Sequence, residues 1–210
     1  MAPHPPHSDD VEQKKSSPSS LLTQAELVQV QAQNPEALGK LFDAYFGRIY
    51  SLAYRMMAGE AAAQDITQEV FLRVHKAAHQ LDPARDPLPW LMTITANLCR
   101  EKWRSKQGQQ DKQTASLDAK PEYVAAVPDA GATPEEVAIA KDNSNVLNEA
   151  LAQLPEPMRE VVVLHDLEGL THEEVAAMLD EAAAAIRKRY SRALGKLRVL
   201  LQAHKPDVVE

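Results

Sequence analysis

The chain has 210 residues, 44% of them hydrophobic, with 23 Lys plus Arg against 30 Asp plus Glu for a net charge of −7; at about 150 residues per domain this suits one or two small domains. No apolar run approaches the roughly 18 residues of a membrane-spanning helix, and the opening MAPHPPHSDD has no basic stretch leading into an apolar one, so the reading expects no membrane insertion, no secretory signal and a cytoplasmic setting. The lone Cys99 excludes an intramolecular disulfide and a cysteine-built zinc module.

Residues 1–20, rich in Pro, His, Ser and charge, read as a disordered tail. A first module follows over 21–106. Leu38, Leu41, Phe42, Tyr45, Phe46, Ile49, Leu52, Ala53 and Met56 recur at spacings of three and four, the helical period. After Gly59 a second helix carries Ile66, Val70, Phe71, Val74, Ala77 and Leu81, and its outer face shows Asp65, Gln68, Glu69, Leu72, Arg73 and Lys76. A proline-rich loop leads to a third helix from about Pro89 to Arg104, with Leu91, Ile94 and Leu98 on one side and Thr93, Asn97, Arg100 and Arg104 on the other. Those polar groups suit a nucleic-acid strand. Trp90 could stack on a base, although its plainer reading is a core aromatic.

Residues 107–142 are Gln, Ser, Asp, Ala and Pro with little apolar periodicity, too long for an ordinary loop inside one domain, and read as an acidic linker. The second module, 143–203, starts with Val146, Leu147, Ala150, Leu151 and Leu154, stopped by Pro155. Pro157 opens the next helix and Gly169 ends it. Thr171 with Glu174 fits a capping box before a short helix holding Val175, Ala176, Met178 and Leu179. A long helix from Ala183 to about Leu201 turns Ile186, Tyr190, Ala193, Leu194 and Leu197 inward. Residues 204–210 form a short tail. No stretch alternates with period two for long, so the predicted fold is all-α: two small helical domains on a flexible linker, the second ending in a helix-turn-helix.

Charge read by segment sharpens this. Residues 109–182 hold sixteen acids against four bases, whereas residues 183–205 hold seven bases and no acid. Solvated faces usually mix signs, so this one-signed stripe points to a polyanion. Arg187, Lys188, Ser191 and Arg192 fall on the first two turns of the long helix, where a recognition helix reaches base edges, and Lys196 and Arg198 suit phosphates. His75 and His79 stand four apart but nothing converges on them, so they read as surface histidines. No Gly-rich phosphate loop and no catalytic constellation is present, so no metal, cofactor or enzymatic activity is expected.

DITQEVFLRV (65–74) with PWLMTITANL (89–98) resembles the second conserved region of bacterial RNA polymerase sigma factors of the extracytoplasmic-function (ECF) class in the sigma-70 superfamily, and LPEPMREVVVLHDLEGLTHEEVAAML (154–179) resembles their fourth region. The resemblance implies a promoter-directing subunit. Asp65, Gln68, Glu69, Leu72 and Arg73 match the helix that docks on the polymerase clamp coiled coil, and the polymerase flap is a second implied contact. Trp90, Thr93, Ala96, Asn97, Arg100 and Arg104 fall in the part that opens and holds the minus-ten element. Arg187, Lys188, Ser191, Arg192 and Lys196 match the reader of the minus-thirty-five duplex. The linker would thread toward the active-site cleft, and an anti-sigma factor is an implied inhibitor. Departures include Ala61-Ala62-Ala63-Gln64 where acids are usual, which makes Thr67 a candidate for phosphorylation, and Asp180 where glycine is usual. A helix-turn-helix repressor or activator acting without polymerase, and a helical protein-binding adaptor, remain alternatives at this point.

Overall fold

The computed structural model describes residues 20–110 and 144–204. Among the described residues every regular element is helical. Residues 1–19, 111–143 and 205–210, which hold most of the expected tails and linker, lie outside them.

The first module contains a helix absent from the sequence reading. α1, Gln24–Gln31, has only Leu27 and Val30 to bury, too few for a visible period, but it starts on a full capping box: Glu26 N–H donates to Thr23 Oγ1, and Glu26 Oε2 accepts from Thr23 N–H. α2, Pro35–Met57, opens with Asn34 accepting from the amides of Glu36 and Ala37 and with Pro35 at its first position. It buries Leu41, Tyr45, Ile49, Leu52 and Met56, while Phe42 and Phe46, which share the apolar spacing, lie exposed on its flank. α3, Glu60–Ala77, and α4, Leu88–Gln110, pack on α2 and on each other. Asp86 Oδ1 accepts from the Leu88 amide at the start of α4. Residues 105–110 continue this helix.

In the second module residues 144–152 form α5 and Glu156–Val162 form α6, which runs into a π turn over Val163–Leu167. The widened turn ends at Gly169, whose φ of +76° is left-handed and suits a residue without a Cβ. α7, His172–Leu179, starts on the predicted Thr171–Glu174 capping box. Asp180 then takes the left-handed conformation (φ 54°) that glycine usually supplies, and Glu181 N–H closes the turn on the Ala176 carbonyl. α8, Ala183–His204, packs across α6 and α7, burying Ile186, Ala193 and Leu197, while Leu194 is exposed rather than inward.

The two modules are packed together, not merely tethered. Their buried apolar side chains form one contiguous cluster, with α2 against α6 and the π turn.

Candidate nucleic-acid interface

α7, its tight turn and α8 make the expected helix-turn-helix. The joint between the helices is a small aromatic stack: His165 and His172 lie ring on ring at 4.1 Å, and Tyr190 meets them edge-on at 4.7 and 5.0 Å. Tyr190 Oη donates to Asp166 Oδ1 (2.7 Å). Burial, with His165 next, holds His172 below the ordinary imidazole value. This stack fixes the α8 face that points outward. On it Arg187, Lys188, Ser191, Arg192, Lys196 and Arg198 are all exposed. Arg187 is engaged by Glu173 of α7 (2.6 Å), whereas Lys188, Arg192, Lys196 and Arg198 have no ion pair among the described residues. Arg189 points back instead and forms a paired contact with Glu181.

The α4 face is different. Thr93 donates back to the Pro89 carbonyl (2.8 Å), Arg104 is exposed, and Trp90 is half-buried against the core, as its plainer reading had it. Ala96 is fully buried and offers a strand no surface, because it falls on the α4 side that packs inward. Asn97 and Arg100 are occupied: Arg100 Nη2 donates to Asn97 Oδ1 (2.6 Å) and Nη1 to the Leu179 carbonyl at the end of α7 (3.2 Å). Its Nε lies 3.5 Å from Glu160 Oε1 of α6, a charge contact in which neither atom has a hydrogen-bond partner.

That contact belongs to a seam absent from the sequence reading. Arg159 is buried and donates to four carbonyls: Leu151 (2.9 Å), Ala152 (2.8 Å) and Leu154 (3.0 Å) around the end of α5, and Met56 (2.8 Å) at the end of α2. One guanidinium so satisfies carbonyls that two helix ends leave open. Arg48 and Arg55, two turns apart on α2, face Glu168 at 3.5 and 3.6 Å. The Glu160 and Glu168 side chains are each only 3% exposed. Burial raises both carboxyls above the ordinary range, Glu160 to about 7. A charged residue interrupting an apolar helix face, such as Glu160 in REVVVL, is the one sign of this seam in the sequence.

The outer face of α3 holds Asp65, Gln68, Glu69, Leu72 and Arg73 as expected, with Leu72 49% exposed. Asp65, Gln68, Glu69 and Leu72 line an open groove of about 570 Å³ against α4, from which Lys102 reaches Asp65 (3.6 Å), while Glu101 grips Arg73 (2.7 Å) beside it. Thr67 is buried and donates to the Ala63 carbonyl (2.8 Å), so no kinase can reach it as the chain is folded. Burial also pushes the Cys99 thiol far up, leaving it unreactive.

Comparison with known proteins agrees with this layout. The Sigma-70 region 2 family matches residues 41–109 and the Sigma-70, region 4 family matches 144–197, together more than half of the chain. The chain belongs to the ECF class of the sigma-70 family. Over 173 residues it is 32% identical to the probable RNA polymerase sigma factor RfaY of Xanthomonas campestris, covering 82% of this chain but 42% of that one. The ECF RNA polymerase sigma factor SigW of Bacillus subtilis is 28% identical over 184 residues, covering 87% of this chain and 98% of its own. In fold, the chain is similar to the sigma factor RpoE of Bartonella quintana, solved in complex with the anti-sigma factor NepR (TM-score 0.61, 20% identity, 78% of this chain and 96% of that one). α1–α4 are therefore called region 2 below and α5–α8 region 4.

Proposed function

We propose that the chain binds core RNA polymerase and directs initiation at specific promoters, with region 4 on the minus-thirty-five duplex and region 2 melting and holding the minus-ten strand. The observation that carries this reading is the α8 face. Lys188, Arg192, Lys196 and Arg198 stand exposed and without an ion pair among the described residues, on the second helix of a helix-turn-helix, in a chain whose region 2 presents a separate groove. Helix α8 enters the major groove. Arg187, Lys188, Ser191 and Arg192 reach base edges and Lys196 holds phosphate. Thr93, Asn97, Arg100 and Arg104, with Trp90 as stacking partner, take the melted strand. Asp65, Gln68, Glu69, Leu72 and Arg73 dock on the clamp coiled coil, and region 4 meets the flap. Nucleotidyl transfer is the polymerase's chemistry, and the chain contributes recognition and melting in the cytoplasm. An anti-sigma factor is a further partner, in line with the complex known for the Bartonella neighbour.

Run-off transcription with purified core polymerase and this chain over genomic fragments, followed by start-site mapping, tests the reading. Discrete starts preceded by a shared pair of elements are expected. Sequence-specific duplex binding with no directed initiation would make the chain a polymerase-independent helix-turn-helix regulator and overturn it.

A further inference from the structure

The joint that sets α8 against α7 is built from titratable rings. His165 of the π turn and His172, the first residue of α7, stack at 4.1 Å, and Tyr190 of α8 meets both edge-on at 4.7 and 5.0 Å. All three rings are half-buried. His165 Nδ1–H donates to the Leu170 carbonyl (2.6 Å), and Tyr190 Oη donates to Asp166 Oδ1 (2.7 Å). His172 Nε2 is different, because it is shut off from solvent with no hydrogen-bond partner among the described residues. A neutral imidazole can leave that nitrogen bare, whereas a protonated one carries N–H on both nitrogens. A proton would therefore set a donor where nothing accepts it, and a charge against the His165 ring. The groups that face His172 are His165 and Asp166 from the π turn, Glu173 beside it on α7, and Arg187 and Tyr190 from α8. Burial, His165 and Arg187 oppose a proton on His172, Glu173 and Asp166 favour one, and the opposition prevails. Asp166 also lies 4.0 Å from His165 Nε2, so its charge is shared between the two rings.

We propose that this stack makes the duplex reader proton-sensitive: in mildly acidic solution His172 takes up a proton only by leaving the stack, which frees α7 from α8 and weakens duplex binding. This rests on the duplex-binding reading of α8. Once the joint opens, water reaches His172 Nε2 and the ring titrates as an ordinary imidazole, near pH 6.5. Well above that pH, His172 is neutral in the open and the closed joint alike, and acidity has no hold on it. As pH falls below about 6.5 the open joint binds a proton that the closed one refuses, so opening becomes easier. From pH 7.5 to 5.5 the ratio of open to closed rises by up to about tenfold, as a free imidazole goes from about a tenth to about nine-tenths protonated. A histidine beside phosphate works the other way, because DNA favours its charged form and binding tightens in acid. The direction of the change therefore separates the joint from a direct contact.

The test uses the full chain and a fluorescein-labelled duplex that it enriches from a random pool at pH 7.5. Affinity is measured from pH 7.5 to 5.5 at fixed ionic strength, with hydrogen-exchange protection factors of the α7 and α8 amides over the same range. His172→Phe keeps an aromatic ring in the stack and takes no proton. Wild-type binding should weaken severalfold, and by no more than about tenfold, with α7 and α8 protection falling in step. Both changes should be absent from His172→Phe. Glu160 at the seam is the same in both chains, so the difference between them isolates the joint. Unchanged or tighter wild-type binding in acid overturns the inference, as does equal weakening in the variant. Weaker binding with protection unchanged also overturns it, since the proton would then act on DNA contact and not on the joint. If the variant does not fold, the His172 imidazole is titrated by NMR in wild type: a midpoint below 6.5 is expected, and one at or above 6.5 overturns the inference. Failure to enrich any duplex is a failure of the reading beneath, and it shows at pH 7.5 before acid is added, so the two failures are told apart.

Discussion

The two helices proposed to face DNA differ in what their cations are doing. On α8, Lys188, Arg192, Lys196 and Arg198 are exposed with no ion pair among the described residues, while on α4 Arg100 bonds Asn97 and Leu179 and lies beside Glu160. On the proposed division, the duplex reader is ready in the free chain and the strand reader is occupied. Duplex DNA needs no melting, so an exposed duplex reader costs nothing in specificity. A strand reader left open would meet any single-stranded nucleic acid, and its contacts are largely sequence-tolerant stacking and phosphate attraction. The contrast therefore suits a chain whose strand-binding half is used only after a partner has opened it.

The contrast depends on the seam, so the largest expected effect comes from breaking its anchor. Arg159→Ala strips four carbonyls of one buried donor group. It should cost about 3–5 kcal/mol, because several buried carbonyls lose their donor at about 1–3 kcal/mol each, measured by urea unfolding. A loss under about 1 kcal/mol would mean that water replaces the guanidinium and that the seam is looser than its packing implies.

Acidity probes the same seam with a smaller expected change. Burial raises the Glu160 carboxyl from 4.5 to about 7, with Glu181 adding and Arg100 and Arg189 opposing. The closed chain then binds more protons than an open or unfolded one between these values, so its stability grows as pH falls from about 7 to 4.5 and is flat above 7. At about 1.4 kcal/mol per unit the gain is of order 3 kcal/mol at most. Glu160→Gln should hold that gain at every pH and make the profile shallower, leaving the rise that the buried Glu168 contributes. A profile that falls over the same range in the His172→Phe chain would show that the Arg100 contact outweighs burial.

Binding to a promoter duplex sharpens the comparison directly. Arg192→Ala should cost about 1–3 kcal/mol if the side chain reads a base, with relaxed discrimination at one position, or weaken all sequences alike if it holds phosphate. Arg100→Ala should leave duplex affinity unchanged. Equal losses from both, in gel-shift titrations on duplex DNA, would mean that the two faces do not divide the promoter as proposed.

What the sequence made legible follows from range. The helix-turn-helix, the capping box at Thr171 and the outward row from Arg187 to Arg198 depend on neighbours within a few turns, and period and cap chemistry report those. The seam depends on pairs 103 and 120 residues apart, Arg159 with Met56 and Arg48 with Glu168, for which a single sequence carries no spacing rule. Its cost appeared only as a charged residue in an apolar run. Ala96 shows the opposite error: the family pattern places it with Asn97, but α4 turns about 100° per residue, and one position is enough to send a side chain into the core. α1 escaped because two buried residues, Leu27 and Val30, make no period, although Thr23 and Glu26 spelled its cap.

The smallest expected effect concerns the one α8 reader that is not free. Arg187 lies 2.6 Å from Glu173, and both side chains are more than half exposed. Such a pair is worth about 0–1 kcal/mol, yet in the proposed mode DNA displaces it before Arg187 reaches a base. Glu173→Gln keeps the residue's size, removes a carboxylate facing the phosphates and releases the guanidinium. It should tighten duplex binding by up to about fivefold and should leave binding by an Arg187→Ala variant nearly unchanged, since most of the gain passes through that arginine. If Glu173→Gln tightens both backgrounds equally, the gain is general relief of repulsion, and Arg187 makes no contact of its own. That outcome would confine base reading to Lys188, Ser191 and Arg192.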